Sequence, residues 1–291
     1  MHVPVLPAEV VHYLDPQPGQ VFVDCTVGTG GHTRLLAERV QPGGRVIGLD
    51  QDAAMLDLAR PRLAGLPVTL VHASFDQLRD VLREQGLTAV DGVLADLGVS
   101  SDQLDNPARG LSFQQDGPLD MRLDPSRGAT AADLLRRLPE RELADLIFRY
   151  GEERFSRRIA RRIVEARQRE PLTTTGQLAD LVRRSVPRPK GRAGIDPATR
   201  TFQALRIAVN DELGALERLL AQLPDGVRPG GRVALISFHS LEDRPVKQAL
   251  RRPEVWEVLT KKPVTAGEDE VRTNPRARSA KLRAARRKPT S

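Results

Sequence analysis

Three aspartates that close short apolar runs, with three glycines after the first of them, are the residues of this chain best placed to do chemistry. Val21-Phe-Val-Asp24 leads through Gly28, Gly30 and Gly31 into a helix-like segment, Arg45-Val-Ile-Gly-Leu-Asp50 follows, and Val90–Asp96 ends in the same way. Glycines at such a turn let the backbone bend tightly and approach a ligand that a Cβ would hold off. Asp50, closing the second run, is placed to accept hydrogen bonds from a ribose diol. The pattern points to an adenosine-containing cofactor. Its spacing is Gly-x-Gly-Gly, not Gly-x-Gly-x-x-Gly, and no Lys-Ser/Thr follows to make a P-loop. Arg34 is the nearest basic side chain, and residues 1–110 hold 14 Asp/Glu against 8 Arg and no Lys. An acidic nucleotide site suits a cationic cofactor, and the sulfonium of S-adenosylmethionine is one.

Positioning these residues requires strands and helices in alternation. Val21–Cys25, Val46–Asp50, Val68–His72 and Val90–Asp96 are short and rich in β-branched residues. Arg34–Val40, Ala53–Leu63 and Phe75–Glu84 have helical spacing between them. Such alternation implies an α/β fold with a parallel sheet, and ligands bind these sheets beyond the carboxyl ends of the strands, where Asp24, Asp50 and Asp96 fall. Residues 100–130 read as a long ordered loop. Helices follow at Ala131–Leu138, Glu140–Tyr150, Ser156–Arg169 and Thr175–Arg184, the last with Thr174 or Thr175 as N-cap. Thr201–Leu220 reads as one long helix with Phe202, Leu205, Val209, Leu216 and Leu220 on a shared face, and a strand returns at Arg232–Ser237. The expected organisation is a discontinuous α/β domain, 1–129 and 201–291, interrupted by a helical substrate-binding domain, 130–200. Val255–Thr260 and Ala280–Ala285 would make a closing antiparallel hairpin, which separates a methyltransferase sheet from a dehydrogenase sheet.

Composition narrows the partners. The 291 residues carry a net charge of +7, one cysteine and five histidines. No apolar run approaches the ~20 residues of a membrane span, no signal peptide is visible, and no metal site is expected. A cytoplasmic protein with a buried Cys25 is the expectation. Residues 136–192 hold 16 Arg/Lys against 8 Asp/Glu, and eight Arg/Lys with no acid follow Glu270. A basic remainder beside an acidic nucleotide half points to a polyanion, most simply nucleic acid. Arg157, Arg158, Arg161 and Arg162 recur at i, i+1, i+4 and i+5 and should form a guanidinium stripe on one helix. Arg188–Arg192 and Arg276–Lys288 add charge in segments read as flexible.

Several segments resemble the RsmH/MraW family of bacterial small-subunit ribosomal RNA cytosine-N4 methyltransferases. They are His2-Val-Pro-Val-Leu6, Gly28-Thr-Gly-Gly-His32, Asp96-Leu-Gly-Val-Ser-Ser101, Gly117-Pro-Leu-Asp-Met-Arg122, Thr201–Glu212, Ser237-Phe-His-Ser-Leu-Glu-Asp243 and Asn274-Pro-Arg-Ala-Arg-Ser279, in the family's order from end to end. The resemblance implies a class I, Rossmann-like methyltransferase sheet with an inserted helical domain. It implies S-adenosylmethionine as donor and, as substrate, a cytidine in the decoding (P-site) region of 16S rRNA in the small ribosomal subunit. Carried over residue by residue, the cofactor positions are Gly30, Gly31, His32, Asp50, Phe75, Asp96 and Gln103, with Gly28 opening the same turn.

A cytosine N4 amine is a poor nucleophile, so near-attack positioning and an acceptor for its N–H matter. Many amino-methyltransferases carry Asp/Asn/Ser-Pro-Pro-aromatic after the fourth strand, whereas this chain has Asp96-Leu97-Gly98-Val99. Asp96 therefore stands as catalytic acceptor, as holder of the cofactor's methionine end, or as both. Phe113 is open to two roles, stacking on an extruded base or anchoring its loop. His239, Glu242 and Asp243 are open to substrate contact or to helix capping and ion pairing. Asn210, Asp211 and Glu212 read as structural. Two other functions fit the fold: a non-catalytic RNA-binding or assembly factor, and a nicotinamide-dependent oxidoreductase. The second wants a third glycine and a hydride-relay His or Tyr/Lys pair, and neither can be placed.

Overall fold

The computed structural model of the chain describes residues 3–187 and 196–289. His2 and the basic run Arg188–Arg192 lie outside the described residues. The chain forms two compact units, Met1–Gly98 with Leu213–Ser291, and Val99–Glu212.

In chain order the first part of the α/β unit holds α1 (Pro7–Leu14), β1 (Val21–Asp24), α2 (Gly31–Arg39), β2 (Arg45–Asp50), α3 (Ala53–Arg62), β3 (Val68–His72), a 3₁₀ turn Phe75–Gln77 running into α4 (Leu78–Glu84), and β4 (Val90–Asp96). The helical unit supplies α5 (Ser101–Asp105), α6 (Ala131–Arg137), α7 (Glu140–Gly151), α8 (Ser156–Arg167), α9 (Thr175–Ser185) and α10 (Ala198–Asn210). After it come α11 (Glu212–Gly226), β5 (Val227–Ser237), α12 (Ser240–Leu250), β6 (Trp256–Val258), α13 (Glu268–Thr273) and β7 (Lys281–Arg287).

The strands make one seven-stranded sheet in the order β3-β2-β1-β4-β5-β7-β6. β1 to β5 are parallel, and β7 runs antiparallel between β5 and β6. The strand order reverses between β1 and β4, the topological switch point at which open α/β sheets bind ligands. This is the Rossmann-like class I arrangement expected, with the antiparallel end that sets it apart from a dehydrogenase sheet. The period of two along each strand feeds two cores. Val23, Val93, Ala95, Val233 and Leu235 pack on one face, while Phe22, Leu94, Ala234 and Ile236 pack on the other. Both faces are covered, so these strands read as unbroken apolar runs.

Three expectations are corrected. Arg276–Lys288 is not a flexible basic segment, because β7 lies inside the sheet. Arg283 is buried in a bidentate pair with Asp243 (2.7 and 3.1 Å), Arg286 faces Glu257, and Arg287 Nε donates to the Pro224 carbonyl. At least these three of its seven basic side chains are therefore engaged within the fold. Secondly, Thr201–Leu220 is not one helix. Asp211 takes a left-handed φ of 48° between α10 and α11, a conformation Asp tolerates better than most residues. Phe202, Leu205 and Val209 pack in the core of the helical unit, whereas Leu216 and Leu220 pack in that of the α/β unit. Thirdly, residues 100–130 are more than a loop. They contain α5 and a 3₁₀ turn, Pro107–Arg109, and they bury Leu111, Leu119, Met121 and Leu123 in the helical core. The helical unit accordingly extends beyond 130–200 in both directions. Thr174 caps α9 through a capping box with Gln177, as expected.

Asn210 holds this segment in place. Its Nδ2 donates to the Met121 and Arg206 carbonyls (2.8 and 2.9 Å), and its Oδ1 accepts from Leu123 N (2.7 Å). Asn210→Ala would leave the Leu123 N–H and the Met121 carbonyl unpaired, at about 2–6 kcal/mol of stability for the two. Chemical denaturation of this variant against wild type checks the figure.

Candidate functional site

Asp24, Asp50 and Asp96 come together at the carboxyl edge of the sheet as expected, and backbone contacts explain how each is held. Asp24 is fully buried. Its carboxylate accepts from Thr33 Oγ1 (2.7 Å) and Thr26 N (3.1 Å), and burial pushes its pKa above the ordinary range despite these bonds. Thr26 Oγ1 in turn accepts from Asp96 N (2.7 Å), tying the end of β1 to the end of β4. Asp50 is half-buried. Its Oδ2 accepts from Gly28 N (2.8 Å) and its Oδ1 from Asp52 N (2.9 Å). Burial outweighs those two bonds, and with Asp52 and Asp24 nearby the Asp50 pKa rises to about 6.

The glycine turn is built for close approach. Gly28 has φ +51°, and a Cβ there would point into open space. Gly30 has φ +91° and serves as N-cap of α2, where a Cβ would press on Leu63 at 3.2 Å. Gly31 opens α2, whose first turn has no side-chain cap. Its free N–H groups and positive dipole end suit a ligand carboxylate.

His32, the second residue of α2, is 5 % exposed, and its Nε2 lies 3.7 Å from Asp96 Oδ2. Neither ring nitrogen makes a hydrogen bond, and the buried Asp96 Oδ1 is equally unpaired. Buried polar atoms are rarely left so, and each costs about 1–3 kcal/mol unpaired. These orphans, together with the open cradle at Gly28, fit a bound group carrying its own donors and acceptors. Phe75 follows β3 at the same edge and packs half-buried against the core. Cys25 is buried and desolvation raises its thiol pKa, so it is no nucleophile.

His239 follows β5, three residues past Ile236, the register partner of Asp96. Its Nε2 is 3.2 Å from Glu242 Oε1, and Glu242 Oε2 accepts from Phe238 N (2.8 Å). Glu242 and Asp243 thus take the capping and ion-pairing roles left open for them.

In the helical unit, Gln103 is engaged in a capping box, its Oε1 accepting from Ser100 N (2.9 Å). Phe113 sits edge-on to Phe202 with ring centroids 4.8 Å apart, and the Arg183 guanidinium lies 5.6 Å from its centroid. Of its two open roles, packing in the loop is the one the geometry favours. Arg157, Arg158, Arg161 and Arg162 are exposed on α8, opposite buried Ile159, Ala160 and Ile163. Two of the four are engaged: Arg161 Nε and Arg162 Nη1 meet Glu165 at 3.0 and 3.2 Å, which holds that carboxyl below its usual range. Sequence reasoning missed Thr26 and Thr33, and the only signal for them was a hydroxyl two and nine residues after Asp24. Among the described residues no helix is long and apolar enough to cross a membrane.

A family model described as the MraW methylase family matches residues 1–288. Three relatives carry the name Ribosomal RNA small subunit methyltransferase H. The one from Sorangium cellulosum is 60 % identical over 288 residues, covering 98 % of this chain and 90 % of its own. That from Deinococcus radiodurans is 53 % identical, covering 98 % and 89 %, and that from Geobacter sulfurreducens is 52 % identical, covering 98 % of each.

Proposed function

Since the chain belongs to the MraW methylase family, we propose that it transfers a methyl group from S-adenosylmethionine to the N4 amine of a cytidine in the decoding (P-site) region of 16S rRNA. The observation that carries the donor half is the edge of the sheet itself. There a glycine cradle, an uncapped helix start, a raised Asp50 and the orphaned ring nitrogens of His32 converge. The ribosomal RNA half rests on near-full-length identity to relatives named for it. The cytosine and its location rest on the motif resemblance.

When bound, S-adenosylmethionine supplies an electrophilic methyl on a sulfonium. Asp50 would accept from its ribose hydroxyls, and Phe75 would pack beside its adenine. The backbone at Gly28 and Gly30 permits close approach, and the N–H groups opening α2 would receive its methionine carboxylate. The cluster of carboxylates Asp24, Asp50 and Asp96 favours a cationic donor over a neutral one. With the donor bound, Asp96 Oδ1 would accept an N4–H, aligning the amine lone pair with the methyl and stabilising the positive charge that grows on N4. The N4 proton lost on methylation would pass through that carboxylate to water. His32, 3.7 Å from Asp96, packs beside that carboxylate and limits where it can turn.

The test is transfer of labelled methyl to small ribosomal subunits lacking the modification, followed by nucleoside analysis. Label in N4-methylcytidine at one decoding-region position is the expected result. Label in another base, or none despite tight cofactor binding, would send the proposal to a different acceptor.

A further inference from the structure

α8 and α9 of the helical unit enclose a cleft of about 230 Å³ lined by Arg162, Glu165, Ala166, Arg169, Leu181 and Arg184. Arg162 and Ala166 stand at i and i+4 on α8, Arg169 lies two residues past its last turn, and Leu181 and Arg184 stand at i and i+3 on α9. The floor is apolar, and the rim sets three guanidinium groups against one carboxylate. That carboxylate, Glu165, is already shared by Arg161 and Arg162. Arg169 and Arg184 are exposed and have no ion-pair partner among the described residues. Two uncommitted cations held over an apolar floor have no structural task in this fold.

The size of the cleft narrows the ligand. Small-molecule sites run to about 300–1,000 Å³, so a whole nucleotide cofactor is too large, whereas a phosphodiester with its sugar fits. Guanidinium forks match phosphate oxygens in pairs, which an ammonium does not. We infer that this cleft seats one phosphodiester of the RNA backbone through Arg162, Arg169 and Arg184, and that Glu165 restrains its affinity by occupying Arg161 and Arg162. The inference rests on the proposed RNA substrate and adds where its backbone is held. Such contacts position the strand and carry no base information.

The experiment measures binding of unmethylated small subunits across a salt series, with methyl transfer followed in parallel. Arg169→Gln and Arg184→Gln should each weaken binding about three- to tenfold and flatten the log–log salt slope by about 0.7–1, with cofactor affinity and melting temperature unchanged. Glu165→Gln should tighten RNA binding about threefold, an effect of opposite sign that damaged folding does not produce. Wild-type RNA affinity and salt slope in all three variants, while wild type methylates the subunits, overturn the cleft assignment alone. Loss of inorganic phosphate binding in the arginine variants with RNA binding intact makes it an anion site only and also overturns it. A wild-type protein that binds cofactor and methylates no RNA sinks the proposed substrate instead.

Discussion

Asp96→Asn should fold at least as well as wild type and lose methyl transfer by at least about 10²-fold. The stability half follows from the orphaned Oδ1. A buried carboxylate oxygen with no hydrogen bond is a cost that the neutral amide reduces, and active-site groups commonly trade stability for function in this way. The link between β1 and β4 survives, because Thr26 Oγ1 accepts from the Asp96 backbone N–H and not from its side chain. The activity half follows from the charge. Aligned acceptors for a proton in flight contribute about 10²–10⁴ in rate, and an amide oxygen accepts without balancing the charge that grows on N4. Calorimetry and single-turnover transfer, read together, separate the roles of Asp96. Cofactor affinity within about threefold of wild type with transfer lost places the carboxylate on the acceptor. A parallel loss of both moves it to the methionine end of the donor, and wild-type turnover removes it from the chemistry.

What was legible in the sequence is local. β1, β2 and β4 each end an apolar run in a carboxylate, so their strand identity and their shared edge could be read together, and the glycine turn gave the start of α2. What was hidden depends on partners far along the chain. The break at Asp211 has no Gly or Pro to announce it, because it is set by Asn210 reaching Met121 and Leu123, 89 and 87 residues away. β7 reads as Lys-Leu-Arg-Ala-Ala-Arg-Arg, a basic tail by composition. Only Asp243, 40 residues earlier, explains how a buried Arg283 is tolerated in mid-sheet. The 100–130 segment lacks a helical period, yet its four buried apolar side chains place it in the helical core. The arginine stripe on α8 could be read from spacing alone. The pairs that Glu165 makes with Arg161 and Arg162 follow the same spacing at i+4 and i+3, whereas the meeting of Arg162 and Arg169 with Arg184 required the packing of α8 on α9. Local pattern therefore placed the three carboxylates and the glycine turn at one edge, and left unread the long-range partners of Asn210 and Arg283.

Lowering the pH from 8 to 5 should weaken S-adenosylmethionine binding about tenfold, about twofold of it by pH 6 and the rest below. Asp50 titrates at about 6, chiefly because burial disfavours its charge. Ribose hydroxyls donate, so they bind the ionised carboxylate. A ligand taking only that form loses affinity by about tenfold at one pH unit below the pKa. The cofactor-free fold has the opposite dependence. The folded pKa lies above the ~3.9 of an unfolded Asp, so the native state holds the proton more tightly. The contribution of Asp50 to stability then grows as the pH falls from about 6 to about 4, by roughly 2–3 kcal/mol. At neutral pH its charge is a standing cost that the cofactor relieves. Asp24 is also raised by burial and lies on the same edge, so Asp50→Asn is the necessary control. In that variant binding should be weaker at pH 8, and its remaining slope reports the other groups. Cofactor affinity that stays level to pH 5 in wild type would remove Asp50 from the ribose and leave it only the Gly28 turn to hold.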